Sequence, residues 1–318
     1  MADREFLVAD IGGTNARFAI ARPNGALEHV KVLQVADHPQ FDEALAAYVA
    51  ELDSLPEALC VASAGAMQGD TIYLTNAPWS LGERALGTRF GFHAVRLIND
   101  WQAQARFVGT MPASQAQIIK PGTPIEGAPV LAIGPGTGLG QSLFVPGQPP
   151  RTVATEGGHR LLPVRSDREL RLFQRLEAKL GHQPILEDAL SGRGILNLYH
   201  SVVLDAGEEP SLTEPPQVTS AALEGPGYAR DAVLWFLDLL ACACADACVV
   251  MGARGGVAIS GGITPRLIDL LDEQSFAETF ARKGILKDYL SEVPVSLVTE
   301  PYAALHGAAS VLRDTLQG

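Results

Sequence analysis

The residues best suited to chemistry sit where short apolar runs end. The first group follows residues 6–9 and comprises Asp10, Gly12, Gly13, Thr14, Asn15 and Arg17, after which an apolar run resumes at Phe18. A carboxylate at a strand end can hold a metal ion through water. Glycines lack Cβ, so their backbone N–H groups can approach a ligand closely, and a row of such groups makes a nest for anions. The same residues also suit an ordinary hairpin turn, where Gly-Gly is common. A second group repeats the pattern: an apolar run at 130–133, a turn at 134–140 that contains Gly136, Thr137 and Gly138, and a strand resuming at 141–145. Two such turns in separate lobes form a weak internal repeat and a stronger signal than either alone. A third glycine pair, Gly261–Gly262, ends the apolar run 257–260.

Acid–base candidates lie near these turns in the sequence. Asn99 and Asp100 end the strand pattern 94–98 and precede a helical one. The carboxyl end of a strand is where α/β units bind ligands, and a following helix N-terminus favours an ionised carboxylate. Asp100 is therefore the candidate general base, with the N-cap of its helix as a competing and compatible role. Asn99 offers a donor and an acceptor, which suits a sugar hydroxyl or a turn. Glu156 and His159 flank two glycines, and both can hydrogen-bond neighbouring hydroxyls. The pair also suits a loop with a stray charge, whereas one His and one Glu do not make a metal site. Glu187, on its own pattern, reads as a solvated surface acid.

Phosphoryl transfer needs a phosphate cradle with a metal, a base for the acceptor hydroxyl and in-line positioning. The two glycine turns suit the cradle. No Gly-x-x-x-x-Gly-Lys-Ser/Thr loop, no Gly-x-Gly-x-x-Gly fingerprint and no Gly-x-Ser-x-Gly elbow occurs in the sequence. A P-loop enzyme is thereby excluded, the dinucleotide fingerprint is missing, and a serine hydrolase is disfavoured.

The elements that must position these residues follow from periodicity. Strands are expected at 27–35, 59–62 and 70–75, and a helix at 40–52. A capping box at Ser80–Glu83 opens a helix to about 89, the strand 94–98 follows, and then a helix at 101–108. The order ββ(β)αβ(β)αβα makes an α/β lobe. The stretch 111–129 is rich in Pro, Gly, Ser and Thr and reads as a domain boundary. Further on, a capping box at Ser166–Glu169 opens a helix that stops at Gly181, and Ser191 opens another to about 204. Residues 206–218 read as a loop and 228–252 as a long buried helix. Thr264 with Pro265 reads as an N-cap followed by Pro at the first helical position. A last strand at 295–298 and a helix at 302–316 complete the chain.

At 318 residues the chain exceeds a typical single core, so two lobes are expected. Its 47% apolar and 19% charged residues suit a globular protein. A net charge of −12 argues against nucleic acid or an anionic membrane as main partner, yet permits local nucleotide binding through backbone dipoles and a metal. The most apolar region, 232–251, is interrupted by Asp238 and Asp246, so no membrane span is expected. The first residues show no signal-peptide pattern. Of four cysteines, Cys242, Cys244 and Cys248 fall in one helix and read as small core residues, which fits a reducing, cytoplasmic compartment.

Residues 8–17, 75–79, 98–100, 136–140, 156–159, 190–192 with 197–199, and 260–263 match a known family in order. Through them the chain resembles the bacterial glucokinases of the non-ROK type, within the actin-like ATPase and hexokinase superfamily. The resemblance implies an α/β, two-lobed actin-like ATPase (ribonuclease H-like) fold with an interlobe cleft. Residues 1–111 plus 300–318 would form the small lobe, and 112–299 the large one. It implies ATP with Mg²⁺, glucose as acceptor, a homodimer, and conversion of D-glucose to glucose 6-phosphate as the first step of glycolysis. Asp100 then corresponds to the catalytic base. Asn76, Asn99, Glu156, His159 and Glu187 correspond to sugar ligands. Asp10, with Mg²⁺ held through water, and Gly12 to Asn15 correspond to the first phosphate motif. Gly136 to Gly138 belong to the second, and Gly261–Gly262 correspond to the adenosine motif. ROK relatives carry a Cys-rich zinc motif after their counterpart of 156–159; residues 160–167 follow here, and no zinc is expected. Pro135 departs from the small residue expected in the second phosphate turn, since proline removes an N–H donor. The rival readings are a kinase for mannose, fructose or an amino sugar, a sugar-responsive repressor, and a non-catalytic nucleotide-binding scaffold. A repressor needs a DNA-reading helix-turn-helix, and too few residues precede the first strand to make one. A scaffold has no use for the sugar-site residues.

Overall fold

The computed structural model describes residues 4–74 and 79–317. The chain divides into two units: Met1–Met111 with Pro146–Ala154 and Glu300–Gly318, and Pro112–Val145 with Thr155–Thr299.

In the first unit, β1 (Phe6–Ile11) turns back antiparallel into β2 (Asn15–Ala21), which pairs with β3 (Leu27–Gln34). Then come α1 (Phe41–Val49) and β4 (Ala58–Ser63). A small three-stranded sheet follows, made of β5 (Gly65–Gln68), β6 (Thr71–Leu74) and β7 (Ser80–Gly82). Next are α2 (Glu83–Phe90), β8 (Ala94–Asn99) and α3 (Asp100–Val108). The main sheet has the order β3-β2-β1-β4-β8, with β1, β4 and β8 parallel. Every residue of β4 is buried, as expected for a parallel strand covered on both faces. Leu59 and Val61 pack with Phe41, Leu45 and Leu86 on one face. Ala58 and Cys60 pack on the other with Leu305, Ala308 and Leu312. Ser80 does not cap a helix. It lies in β7, next to Leu81, which pairs with Ile72 and is buried. Glu83 instead accepts from Leu97 N at 2.9 Å, which ties α2 to β8.

The second unit begins with β9 (Ala116–Lys120), inside the stretch that reads as a boundary. β10 (Val130–Pro135) and β11 (Leu139–Val145) form a hairpin, and β12 (Arg151–Thr155), which up to Ala154 belongs to the first unit, follows in the chain. The helices α4 (Asp167–Leu180), α5 (Leu186–Ala189), α6 (Gly192–Asp205), α7 (Pro215–Glu224) and α8 (Tyr228–Met251) come next. Then follow β13 (Gly256–Ile259), α9 (Glu273–Ala281), α10 (Lys287–Ser291) and β14 (Val295–Val298). The sheet order is β12-β11-β10-β13-β14-β9, with β10, β13 and β14 parallel. Ser166 and Ser191 cap α4 and α6 as their spacing predicts, accepting from Glu169 N and Gly194 N. Part of the expected loop 206–218 is helical, because Pro215 sits at the helix start, where a missing N–H costs nothing, and Gln217 accepts from Glu214 N. Thr264 opens a short 3-10 turn (Thr264–Leu270) without acting as its cap. By length and composition α8 would pass for a membrane span, and 67% of its most apolar stretch is buried in the unit's core. The last helix, α11 (Ala303–Gln317), returns to the first unit and packs on α3. Gly307 permits this approach, since a Cβ there would overlap Ala103 O.

Candidate active site

In the first unit, register places the candidates along one edge. Ile11 pairs with Ser63, and Ser63 with Asn99, so the carboxyl ends of β1, β4 and β8 form a row. Strands lie about 4.8 Å apart, so the ends of β1 and β8 are about 10 Å apart. Asp10 receives Arg17 Nη1 at 3.0 Å. Burial pushes its carboxyl pKa up, and Arg17 opposes the shift. The turn is closed by Gly12 N donating to Asn15 O at 2.9 Å, while Gly13 and Thr14 are exposed. The Asn15 side-chain oxygen is engaged by Gln34 Nε2 at 2.9 Å.

At the end of β8, capping falls to Asn99 rather than Asp100. Asn99 Oδ1 accepts from Trp101 N at 3.0 Å and Gln102 N at 3.3 Å, and Gln102 Oε1 accepts from Asn99 N. Asp100 becomes the first residue of α3, with Oδ1 accepting from Trp101 N at 3.0 Å. The Asn99 acceptor is thereby engaged, and its amide N–H₂ is the group it can offer a ligand. Asn76 lies outside the described residues. Ser63, which no motif singles out, is fully buried between these ends and its hydroxyl has no hydrogen-bond partner.

In the second unit, Ser260 N donates to Ile133 O at 2.9 Å, which sets the 134–140 turn beside Gly261–Gly262. Gly261 has φ +96°, and a Cβ there would lie 2.8 Å from Pro135 O. Gly192 N, at the start of α6, donates to Gly136 O at 2.9 Å. The Gly136 N–H is used inside the turn, donating to Gly138 O at 2.7 Å. Thr137 completes this bend between Gly136 and Gly138.

Glu187 is not a solvated surface acid. It is half-buried on α5, and its Oε2 accepts from Leu139 N at 2.9 Å. A Cβ on Gly138 would overlap that carboxylate. Sequence alone misses the contact because 48 residues separate its ends. Glu156 and His159 bracket a single 3-10 turn, with Nδ1 3.6 Å from Oε2 and side chains 60% (His159) and 90% (Glu156) exposed. Beneath them, a Cβ on Gly157 would meet the end of the Gln141 side chain, and one on Gly158 would overlap the backbone oxygen of Leu139, so residue 158 has no room for a Cβ. Gln141 is buried; its Nε2 lies 3.3 Å from Met251 Sδ, and its Oε1 has no partner. Leu139 thus links three predicted features: its N–H meets Glu187, its carbonyl supports Gly158, and it ends the glycine turn.

Each unit therefore gathers glycine-lined bends and acceptor side chains at the carboxyl ends of parallel strands, an arrangement suited to anions and polyols. The family model described as Glucokinase matches residues 7–315. A glucokinase from Hahella chejuensis is 38% identical, with 97% of each chain covered. The crystal structure of a glucokinase from an Antarctic psychrotroph superposes with a TM-score of 0.88 at 32% identity, over 98% of this chain and 99% of that one. A ROK-family glucokinase from Streptomyces griseus, solved with glucose and AMPPNP, shares the fold, with a TM-score of 0.68 at 21% identity over 99% of this chain and 100% of that one. The fold is thus the two-lobed actin-like one, and the chain belongs to the glucokinase family, whose members are sugar kinases.

Proposed function

We propose that the protein transfers the γ-phosphoryl group of ATP to the 6-hydroxyl of D-glucose, giving glucose 6-phosphate and ADP and opening glycolysis. The observation that carries this reading is the division of labour at the end of β8. Asn99 caps α3, and Asp100 stands beside it as the first residue of that helix, at its positive end. Asp100 takes the proton of O6 as that oxygen attacks the γ-phosphorus; the bond from phosphorus to the β–γ bridging oxygen breaks, and ADP leaves with the electron pair. The Asn99 amide donates to a sugar hydroxyl, and Glu156, His159 and Glu187 engage the others. Gly12 to Asn15 and Gly136 to Gly138 receive phosphate oxygens, and Gly261–Gly262 face the adenosine.

Mg²⁺ commonly uses one or two carboxylates together with phosphates and waters. A half-buried carboxylate at a glycine turn fits that mode, so Asp10 would hold the ion through water. Bound there, Mg²⁺ supplies charge compensation at the phosphate oxygens. Residues 1–111 with 300–318 are read as the small lobe and 112–299 as the large one. The reading includes a homodimer, checked by a solution mass near twice 33.7 kDa. It also includes a reducing cytoplasmic setting, which four unpaired cysteines suit.

The test is Asp100→Asn with a panel of sugars. Turnover of glucose should fall about 10²–10⁴-fold, while the calorimetric glucose Kd changes little. Near-normal turnover removes Asp100 from its role. Preferred turnover of mannose, fructose or glucosamine by the unaltered protein replaces glucose as acceptor.

A further inference from the structure

Glu187 joins two functions that the sequence keeps apart. Its Oε2 accepts from Leu139 N at 2.9 Å, and its carboxylate occupies the space where Gly138 lacks a side chain. In the reading above, Gly138 belongs to a phosphate turn and Glu187 to the sugar site. We infer that Glu187 is a coupling residue: in the sugar-free enzyme its carboxylate obstructs the phosphate turn, and sugar binding relieves the obstruction. The inference rests on the proposed function and assigns the coupling between its two sites to this one side chain.

The physical argument has three parts. A carboxylate beside the turn repels a polyphosphate, and the Leu139 N–H that could face an anion is engaged by Oε2. Second, the segment that carries Glu187 is held firmly. Ser191 Oγ donates to Glu187 O at 2.8 Å, Asn197 Nδ2 to Asp188 O at 2.9 Å, and Ile185 N to Asp188 Oδ2 at 3.1 Å. Lys179 Nζ in turn donates to Asn197 Oδ1 at 2.9 Å. The backbone of α5 is thereby fixed, and the degree of freedom left is the side chain of Glu187. Third, sugar hydroxyls donate to carboxylates, so a bound sugar disperses the charge of Glu187 and turns its oxygens toward the hydroxyls. A ligand shifts such an equilibrium only by its differential affinity for the two arrangements, and here the sugar has that difference at one side chain. Linkage then requires nucleotide to tighten sugar binding by the same factor.

The experiment is isothermal calorimetry of AMPPNP with Mg²⁺, with and without saturating glucose, on the unaltered protein and on Glu187→Gln. In the unaltered protein glucose should tighten AMPPNP by about five-fold or more. Glu187→Gln removes the charge, so AMPPNP should bind its sugar-free form about five-fold tighter than it binds the unaltered sugar-free form, while glucose binds more weakly. Gly138→Ala is the second variant. Its methyl group pushes the Glu187 carboxylate off the turn, toward the arrangement that a sugar favours, so glucose affinity should rise although residue 138 lies in the phosphate turn. A residue that merely holds sugar would leave sugar-free nucleotide affinity unchanged in Glu187→Gln, which overturns the inference. An unchanged glucose Kd in Gly138→Ala overturns it too. An unaltered protein that binds AMPPNP but no glucose contradicts the proposed function instead, and the two failures are distinct.

Discussion

At the scale of single residues, Asn99 caps α3, and the proposed reading gives the chemistry to Asp100 beside it. Asn and Asp cap equally well, whereas only Asn has an amide N–H₂ to donate. Asn99→Asp should therefore keep the thermal stability of the protein while raising the glucose KM. The added charge beside Asp100 should also move the acid limb of kcat/KM to higher pH. Asn99→Ala should lose about 1 kcal/mol of stability, read from denaturant midpoints. Asp10 makes the converse case. Its folded pKa lies above the model-peptide value of 3.8, because burial disfavours the charged form more than Arg17 favours it. A raised pKa means that stability is lost as pH rises through the folded value, so the charged Asp10 is a net cost at neutral pH. Asp10→Asn should then melt no lower, and preferably higher, than the unaltered protein at pH 7, while turnover collapses. The gap should close as pH falls below 3.8, where both states carry the proton. Arg17 is 35% exposed, so losing its partner adds little. A lower melting temperature at pH 7 would contradict this account.

At the scale of elements, backbone approach matters more than side-chain identity. Gly307 of α11 meets Ala103 in the middle of α3, and α3 begins at Asp100. Gly307→Ala must push the two helices apart, costing about 1–3 kcal/mol, and it should lower kcat by displacing the N-terminus of α3. Gly158→Ala should act on the other unit: the loop of Glu156 and His159 rises off Leu139 O, and the glucose KM increases. Denaturant midpoints beside steady-state kinetics check both. These close approaches are invisible in sequence, since a glycine that permits a turn and one that permits a contact look alike. What sequence carries well is continuous burial and capping. The strand Val295–Val298 lies where its apolar run predicts, and Gly181 ends α4 with φ +74°. What it carries badly is the strand with alternating exposure at a sheet edge. In β9, Ile118 is exposed and Ile119 buried, so the segment reads as a loop until its pairing with β14 is known. The site divides the same way. Asp10, Asp100 and the glycine turns stand out locally, whereas the place of Glu187 comes from a contact 48 residues along the chain.

At the scale of the whole molecule, all four thiols report on the two cores. Cys60 is buried in the first unit; Cys242, Cys244 and Cys248 are buried on α8 in the second. Burial pushes each thiol pKa up, that of Cys248 to about 11 despite Lys120 nearby. At pH 8 the thiolate of Cys248 is then about one part in a thousand, and modification must wait for the core to open. A disulfide reagent such as DTNB should therefore find fewer than one fast thiol in the native protein and four in guanidinium chloride. Slow labelling should separate Cys60 from the α8 cysteines by peptide mapping, because each opens with its own core. Glucose binds the folded form, so at a concentration of 100 Kd it should slow any labelling that requires unfolding of the sugar site by about 100-fold. Protection of all four thiols by glucose would mean that both cores open in one cooperative step. Protection of the α8 set alone would mean that the second unit opens by itself. Fast labelling of Cys244 or Cys248 in the native protein would show that α8 is not the packed core helix described above.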